Sequence, residues 1–142
     1  PGARPYGAVV VRDGKIIGEG LNRSAEKLDP TSHGETEAIR DACRNIGSTD
    51  LSGSTLYASC EPCPLCVAAM LIAGIGRLCY AVSTEESAEI LSALPPMQTG
   101  RKRGDDARSG WQTARVPLHA TDQVLPDAGE ALLRRWCDAQ LA

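Results

Sequence analysis

A chain of 142 residues fits one domain. Because it contains no Phe and only 4% aromatic residues, its hydrophobic core must rely on Ala, Val, Ile and Leu. The formal net charge of -3 disfavours a protein whose affinity comes from neutralising phosphates, and no apolar run reaches the roughly 20 residues of a membrane span. Six cysteines, three of them within positions 60–66, predict metal-bound or buried thiols in a reducing cytoplasm and argue against the disulfide framework of a small secreted chain.

Strand and helix signals alternate along the chain. Asp13-Gly14 is a hairpin turn signal between two β-rich runs. Thr31 and Ser32 offer N-cap hydroxyls before the first helical run, which Gly47 closes. In chain order, we predict strands over residues 6–11 and 15–20, a helix over 33–46, a strand over 55–59, a helix over 64–75, a strand over 78–82, and helices over 85–94 and 126–141. A hairpin followed by α-β-α-β units predicts a single α/β domain over residues 1–142, a three-layer α-β-α sandwich with a mixed central sheet.

A polar segment over residues 95–113 separates the last two predicted helices. It begins with Pro95 and Pro96, which end the third helix, and contains Gly, Ser and a basic run at 101–103. Loops of this length are uncommon inside compact domains and are often functional. We therefore predict a long exposed loop here.

Three side chains at the starts of two helices predict a metal site. His33 lies at the start of the first helix, and Cys63 and Cys66 lie at the start of the second. Thiolates at a helix N-terminus face unpaired N–H groups and the positive end of the helix dipole, which favours the deprotonated form that zinc binds. One His and two Cys leave the fourth tetrahedral position of Zn2+ open, as in catalytic sites, so we predict one catalytic zinc per chain.

Glu35 supports a catalytic role for this site. At about 100° per residue, Glu35 lies on the same helix face as Ile39 and Ala42. The other charged residues of this helix project away from that face: Glu37, Arg40, Asp41 and Arg44. A buried unpaired charge is costly, so an inward carboxylate predicts either a partner or a catalytic task.

Three other thiol sites are compatible with parts of the pattern. Cys63 and Cys66 alone could form a redox pair, but the βαβ context of a thioredoxin fold is missing. Cysteines at 60, 63 and 66 could begin an iron–sulfur site, which needs a further cysteine where Met70 stands. A structural zinc with Cys60 as fourth ligand leaves the inward Glu35 without a role, so catalytic zinc is favoured.

The pattern His33-x-Glu35, followed after a proline by Cys63-x-x-Cys66, resembles the signature of zinc nucleobase deaminases in the cytidine deaminase-like superfamily. The resemblance runs over residues 6–82. It implies hydrolytic removal of an exocyclic amine as ammonia, with zinc as the cofactor. These motifs are specific for the class of reaction and only weakly specific for the substrate.

Individual stretches are similar to two branches of that superfamily. Residues 29–31, 36–46 and 59–66 look most like bacterial guanine deaminases. The His-Gly-Glu triplet at 33–35 departs from their usual His-Ala-Glu and is similar to fungal cytosine deaminases, as are residues 70–75. The resemblance is therefore closest to guanine deaminases, with some features of the cytosine enzymes.

The resemblance also implies roles for individual residues around the zinc. Glu35 would be the proton shuttle, in agreement with the need to move a proton from water to the ring and to the departing ammonia. Asn22, after the second strand, would hydrogen-bond the base, and the alternative interpretation is a turn residue. The backbone N–H groups of Gly34 and Cys63 would orient the reacting group, and the carbonyl of Glu61 would accept a hydrogen bond from the leaving amine.

The two ends of the chain match that superfamily less well. A helix generally precedes the first strand in its members, and we expect that helix to be missing, altered or located before residue 1. In the C-terminal segment Trp136 would stack on a planar base and Asp138 would bind its amine. Helical spacing from Leu132 and Leu133 equally predicts a core position for Trp136. Members are usually dimers, which implies a homodimer.

Several substrate classes are compatible with this chemistry. A free nucleobase or related ring is favoured, namely guanine, cytosine or an aminotriazine such as ammeline. Val67 after Cys66 disfavours the small cytidine deaminases, which typically have Arg there. A tRNA adenosine deaminase would need a basic surface. The candidates for such a surface are the run at 101–103 and Arg108, Arg134 and Arg135. The negative net charge of the chain makes nucleic acid the less favoured partner. A non-catalytic zinc-binding interaction domain is the hypothesis from another class.

Overall fold

The core of the fold is one mixed sheet. In the computed structural model, which describes residues 5–92 and 120–141, five strands lie in the order β2-β1-β3-β4-β5. The strands are β1 (Gly7–Arg12), β2 (Lys15–Leu21), β3 (Thr55–Cys60), β4 (Arg77–Val82) and β5 (Ala120–Gln123). The described helices are α1 (Ser24–Lys27), α2 (Gly34–Ile46), α3 (Pro64–Ile72), α4 (Thr84–Leu91) and α5 (Pro126–Leu141). β1 is antiparallel to β2 and β3, whereas β3, β4 and β5 are parallel. None of these described helices is long and apolar enough to cross a membrane.

The β1–β2 hairpin turns at Asp13 and Gly14, as predicted. Both residues have positive φ, 51° and 71°, which is the backbone of a type I′ turn and matches the twist of the two strands. A bulge between Val10 and Val11 shifts the pairing register farther along the hairpin. The hairpin places β2 at one edge of the sheet.

The first long helix begins differently from the prediction. Its N-cap is His33, whose side chain makes no capping bond, so the predicted capping by Thr31 and Ser32 is wrong. Their hydroxyls instead donate to the Asp29 carboxylate, at 2.7 and 3.3 Å. The end of α2 is as predicted, because Gly47 adopts a left-handed conformation with φ of 67°.

The remaining elements agree in type but differ in extent. α3 ends at Ile72, three residues before the predicted end, where Gly74 turns the chain with φ of 79°. α4 ends at Leu91 and not at residue 94. The elements α1 and β5 were not predicted, because four residues each are too few to show a periodicity. The predicted loop at 95–113 and residues 1–4 lie outside the described residues.

Two hydrophobic clusters stabilise the described part of the chain. The first packs α2 and α3 against the sheet, and its members include Ala38, Ala42, Met70, Leu56 and Leu78. The second packs α4 and α5 beside the last residues of β4, and it is formed by Val82, Ile90, Leu133 and Cys137. Helices therefore cover the sheet in two groups, and the starts of α2 and α3 belong to the first.

Two glycines allow α2 to lie close to β2. A Cβ on Gly18 would lie 2.4 Å from the backbone nitrogen of Ala42, and one on Gly20 would lie 2.1 Å from the backbone oxygen of Gly34. A close-packed interior has no room for a side chain at either distance. The glycines therefore determine how near the start of α2 lies to the sheet.

Candidate metal centre and active site

The starts of α2 and α3 bring the predicted ligands together. His33 is the N-cap of α2 and Cys63 is the N-cap of α3, both with extended backbone, and neither side chain makes a capping bond. Ser83, the N-cap of α4, instead makes a full capping box with Glu86. The positive ends of two helix dipoles therefore meet at side chains that do not cap their own helices.

The ligand atoms have the spacing of a zinc site. The Nδ1 atom of His33 lies 3.5 Å from the Sγ atoms of Cys63 and Cys66, and the two Sγ atoms lie 3.6 Å apart. Ligand bonds of about 2.0 Å to nitrogen and about 2.3 Å to sulfur in a tetrahedron place N and S about 3.6 Å apart and the two S atoms about 3.8 Å apart. The three residues therefore fit Zn2+ without rearrangement.

The fourth ligand of a closed structural site is not provided by Cys60. Among the described residues, the potential ligand atoms that lie within 4.8 Å of one another belong to His33, Cys63 and Cys66. Burial raises the pKa of the Cys60 thiol to about 11, which disfavours the thiolate that zinc would need. This arrangement supports an open site over a structural one.

The two thiols of the site differ in their electrostatics. The pKa of Cys63 is lowered to about 4, mainly because the Cys66 thiol donates a hydrogen bond to it, with further help from His33. The pKa of Cys66 is raised, because that thiol holds its proton for Cys63 and is buried beside Glu35. Cys66 is fully buried, whereas His33 and Cys63 are half-buried.

Glu35 points into the same site, as predicted. It is 8% exposed, and its Oε2 atom lies 3.5 Å from the Cys66 Sγ atom. Burial raises the pKa of this carboxyl above its usual value of 4.5. Ile39 and Ala42, on the same helix face, are also buried. A carboxyl group with raised proton affinity therefore lies beside the three ligands.

Glu37 was predicted to lie off the apolar face of α2, and the structure shows that it is nevertheless buried. Glu37 is 7% exposed. Its carboxylate accepts hydrogen bonds from Ser32, Lys27 and Arg40. The Lys27 hydrogen bond is the main reason that its pKa falls to about 2. The helical periodicity missed this burial because the side chains of Lys27 and Arg40, which cover the carboxylate, come from outside the apolar face.

Asn22 lies at the end of β2, next to the segment that leads to His33. Its backbone N–H donates to the Tyr6 carbonyl at 2.8 Å. Its side-chain Oδ1 atom accepts from the Ser24 N–H at 3.2 Å, so the turn interpretation describes part of its role. Hydrogen bonding of a base by the amide NH2 group of Asn22 stays a prediction.

Gly34 and Glu61 lie at the two helix starts. A Cβ on Gly34 would lie 2.9 Å from the Gly7 Cα atom and 3.0 Å from the Tyr6 oxygen, which gives a packing reason for glycine in the His-Gly-Glu triplet that the sequence did not reveal. The Glu61 carboxylate accepts from the Thr84 N–H at 3.0 Å. The substrate contacts predicted for the Gly34 N–H and the Glu61 carbonyl stay predictions.

Trp136 and Asp138 lie on α5. Trp136 packs against the second hydrophobic cluster, beside Leu133, as its helical spacing allowed. Asp138 is exposed. The substrate roles of Trp136 and Asp138 stay predictions.

Comparison with known proteins places these residues in a family. Residues 2–82 match the cytidine and deoxycytidylate deaminase zinc-binding region. The chain is 46% identical over 85 residues to guanine deaminase of Bacillus subtilis, a match that covers 60% of this chain and 54% of that protein. It is 40% identical over 90 residues to a tRNA-specific adenosine deaminase of Agrobacterium fabrum, covering 63% of this chain and 59% of that protein. The chain thus spans little more than half the length of these two relatives.

A solved structure has a similar fold. Guanine deaminase from Nitrosomonas europaea matches with a TM-score of 0.71 at 24% identity, covering 96% of this chain and 74% of that chain. At this identity the likeness concerns the fold alone. It confirms the predicted α/β class with a mixed central sheet.

Proposed function

Since the chain belongs to the cytidine and deoxycytidylate deaminase zinc-binding family, we propose that it is a zinc-dependent aminohydrolase that acts on a free nucleobase or a related amino-heterocycle. The observation that supports this proposal most directly is the buried Glu35 carboxyl beside His33, Cys63 and Cys66. A purely structural zinc site has no need of such a group. The proposed substrates are guanine, cytosine and aminotriazines such as ammeline.

The reaction needs a nucleophile and a group that moves protons. When held by the His and the two Cys, zinc supplies a Lewis acid that makes water a better nucleophile near neutral pH. Glu35 accepts the proton of that water and delivers it to the ring nitrogen next to the amine-bearing carbon. A second proton transfer through Glu35 releases the amine as ammonia, and the ring keeps a carbonyl oxygen. Water is consumed and ammonia is formed in equal amounts.

The backbone at the two helix starts orients the reacting carbon. The N–H groups of Gly34 and Cys63 lie in the first turns of α2 and α3, where no intrahelical acceptor exists for them. Such N–H groups stabilise negative charge that develops on the substrate. The amide NH2 of Asn22 donates to the base and the Glu61 carbonyl accepts from the leaving amine, which together select an amine-bearing ring.

A free base is favoured over tRNA by the acidic net charge of the chain, since a guanine deaminase and tRNA-specific adenosine deaminases are about equally similar to it. The tRNA-specific relative makes adenosine in tRNA the second candidate. Of the arginines named above as candidate tRNA contacts, Arg134 and Arg135 belong to the described residues, and both are exposed on α5. Arg134 is paired with Glu130 at 2.7 Å, which offsets the charge of that arginine.

We also propose a cellular compartment and an oligomeric state for the protein. All six cysteines are free of disulfide bonds, which fits a reducing compartment such as the cytoplasm. A homodimer is the expected assembly, and light scattering of the zinc-loaded protein measures it directly.

Ammonia release by the parent protein and by Glu35→Gln tests the catalytic proposal. The variant should keep one zinc per chain and the parent's unfolding midpoint, and it should lose at least about 100-fold in turnover. Exposed Glu89 gives the matched control, since Glu89→Gln removes a charge without touching the site. A Glu35→Gln protein that releases ammonia at the parent's rate would show that the proposed mechanism is wrong.

The substrate is identified by a panel. Guanine, cytosine, adenine, ammeline, cytidine, guanosine and a tRNA anticodon stem are each incubated with the zinc-loaded protein, and ammonia is measured. Turnover of one or more free rings supports the proposal. Activity with the tRNA stem alone would refute the free-base assignment and retain the deaminase chemistry. Zinc binding without turnover of any of these compounds would favour a non-catalytic zinc-binding domain.

A further inference from the structure

A hydrogen-bonded loop joins β2 to α2 and carries two residues of the proposed site at its ends. We call residues 22–33 the 22–33 loop. Asn22 at one end is the proposed base contact, and His33 at the other is a proposed zinc ligand. The Arg23 N–H donates to the Ser32 carbonyl at 2.9 Å. This bond closes the loop and holds the two ends side by side.

Polar side chains inside the 22–33 loop maintain its shape. The Asp29 carboxylate accepts from the N–H and the hydroxyl of Thr31, at 2.8 and 2.7 Å. It also accepts from the Ser32 hydroxyl at 3.3 Å. Ser32 is fully buried, directly before His33. The position of the ligand histidine therefore depends on where Ser32 is held.

Glu37 connects this loop to α2. It lies one turn after His33, is 7% exposed, and uses both carboxylate oxygens. Oε1 accepts from Ser32 at 2.9 Å and from Arg40 at 2.5 Å. Oε2 accepts from the Lys27 ammonium group at 2.5 Å. Lys27 belongs to the first half of the loop and Ser32 to the second, so a single carboxylate holds both halves against the helix.

We propose that Glu37 is a positioning residue that acts through the 22–33 loop to hold Asn22 and His33 in the relative position that substrate and zinc require. The proposal rests on the proposed function for its substrate part. Its physical basis is that three donors, Ser32, Lys27 and Arg40, share the two charged oxygens of Glu37. Removal of the charge by Glu37→Gln leaves them a single neutral acceptor and replaces the other oxygen by an NH2 group. The loop then rearranges, while Glu35 on α2 stays in place.

The test compares Glu37→Gln with two controls. Glu37→Gln keeps the size of the side chain and removes its charge. Glu26→Gln removes an exposed charge from α1 in the same loop, where Glu26 pairs with Arg23. Ser83→Ala weakens the N-terminus of α4 and reports what loss of stability does by itself. Steady-state kinetics give KM and kcat, and transfer of zinc to a chromogenic chelator gives the zinc release rate.

For Glu37→Gln we expect KM to rise about tenfold, which corresponds to about 1.4 kcal/mol, with kcat within about threefold of the parent. Zinc release should be faster than in both controls. Glu37→Asp, which restores the charge, should recover part of both effects. If Glu37→Gln does not fold, Lys27→Met removes the same connection from its exposed partner and should raise zinc release.

Two results would overturn the proposal. One is a zinc release rate in Glu37→Gln, or in Lys27→Met if that variant is used, equal to the rates of the two controls. The other is a fall in kcat with no change in KM. The zinc measurement needs no substrate. Failure of the proposed function would leave the panel without turnover, whereas failure of the Glu37 proposal would leave zinc release unchanged.

Discussion

Replacement of Gly20 by Ala should damage both the stability of the protein and its zinc site. A Cβ at this position would lie 2.1 Å from the Gly34 oxygen and 2.2 Å from the Ala38 nitrogen, whereas ordinary contact begins at 3.4 Å. Both neighbours are backbone atoms, which cannot move aside as a flexible side chain can. To accommodate the methyl group, β2 and the start of α2 must separate by about 1 Å.

The loss of stability and of zinc affinity in Gly20→Ala can be estimated from the contacts at the start of α2, where His33 lies. Overpacking of this kind costs about 1–3 kcal/mol, and contact with rigid backbone predicts the upper end. His33 immediately precedes Gly34, and its Nδ1 atom lies 3.5 Å from each ligand sulfur. If the start of α2 moves by about 1 Å, the distances from the His33 Nδ1 atom to the two sulfurs exceed the N–S spacing of about 3.6 Å in a zinc tetrahedron. We therefore expect at least about tenfold weaker zinc binding, worth about 1.4 kcal/mol.

Urea unfolding of the zinc-loaded protein and competition with a chelator measure the two effects. Glu19→Ala is the matched control, because Glu19 is the exposed neighbour of Gly20 on the same strand. Its unfolding free energy should stay within about 0.5 kcal/mol of the parent value. If Gly20→Ala unfolds at the same urea concentration as Glu19→Ala and binds zinc as tightly, the close approach of β2 and α2 is not a constraint on the site.

Three further predictions concern the metal, pH and α5. Cys63→Ala should bind no zinc and lose turnover, and metal analysis that still finds one zinc per chain would contradict the ligand assignment. The hydrogen bond from the Ser83 N–H lowers the pKa of Glu86. The ionised Glu86 carboxylate therefore stabilises the fold above its ordinary pKa of 4.5, and this stabilisation is lost as the pH falls below 4.5. Urea midpoints at about pH 6 and about pH 3 should therefore differ more in the parent than in Glu86→Gln, and an equal difference would disprove this role. Trp136→Ala should lower the unfolding free energy by about 3 kcal/mol without raising KM, because Trp136 packs against the second hydrophobic cluster. A raised KM with unchanged stability would instead favour stacking of Trp136 on the substrate.

Motifs in the sequence were sufficient to predict which side chains meet at the candidate metal centre and that Glu35 is buried beside them. His33 and Glu35 belong to one helix start, and Cys63 and Cys66 to another, so local backbone geometry fixes the placement of the two residues within each pair. The packing of α2 and α3 brings the two pairs together. The hairpin turn at Asp13 and the end of α2 were predictable because each depends on the φ values of one or two residues.

The sequence did not predict the features that depend on contacts between residues far apart in the chain. Helical periodicity places Glu37 off the apolar face of α2, and nothing in the sequence indicated that Lys27 and Ser32 from the preceding loop bury its carboxylate. The close approach that requires Gly20 and Gly34 exists only once β2, β1 and α2 have packed together. The energy of a buried charge or a backbone contact depends on partners that the tertiary fold supplies. Short-range spacing in the sequence therefore indicates the chemistry of the site, and long-range packing holds that site in shape.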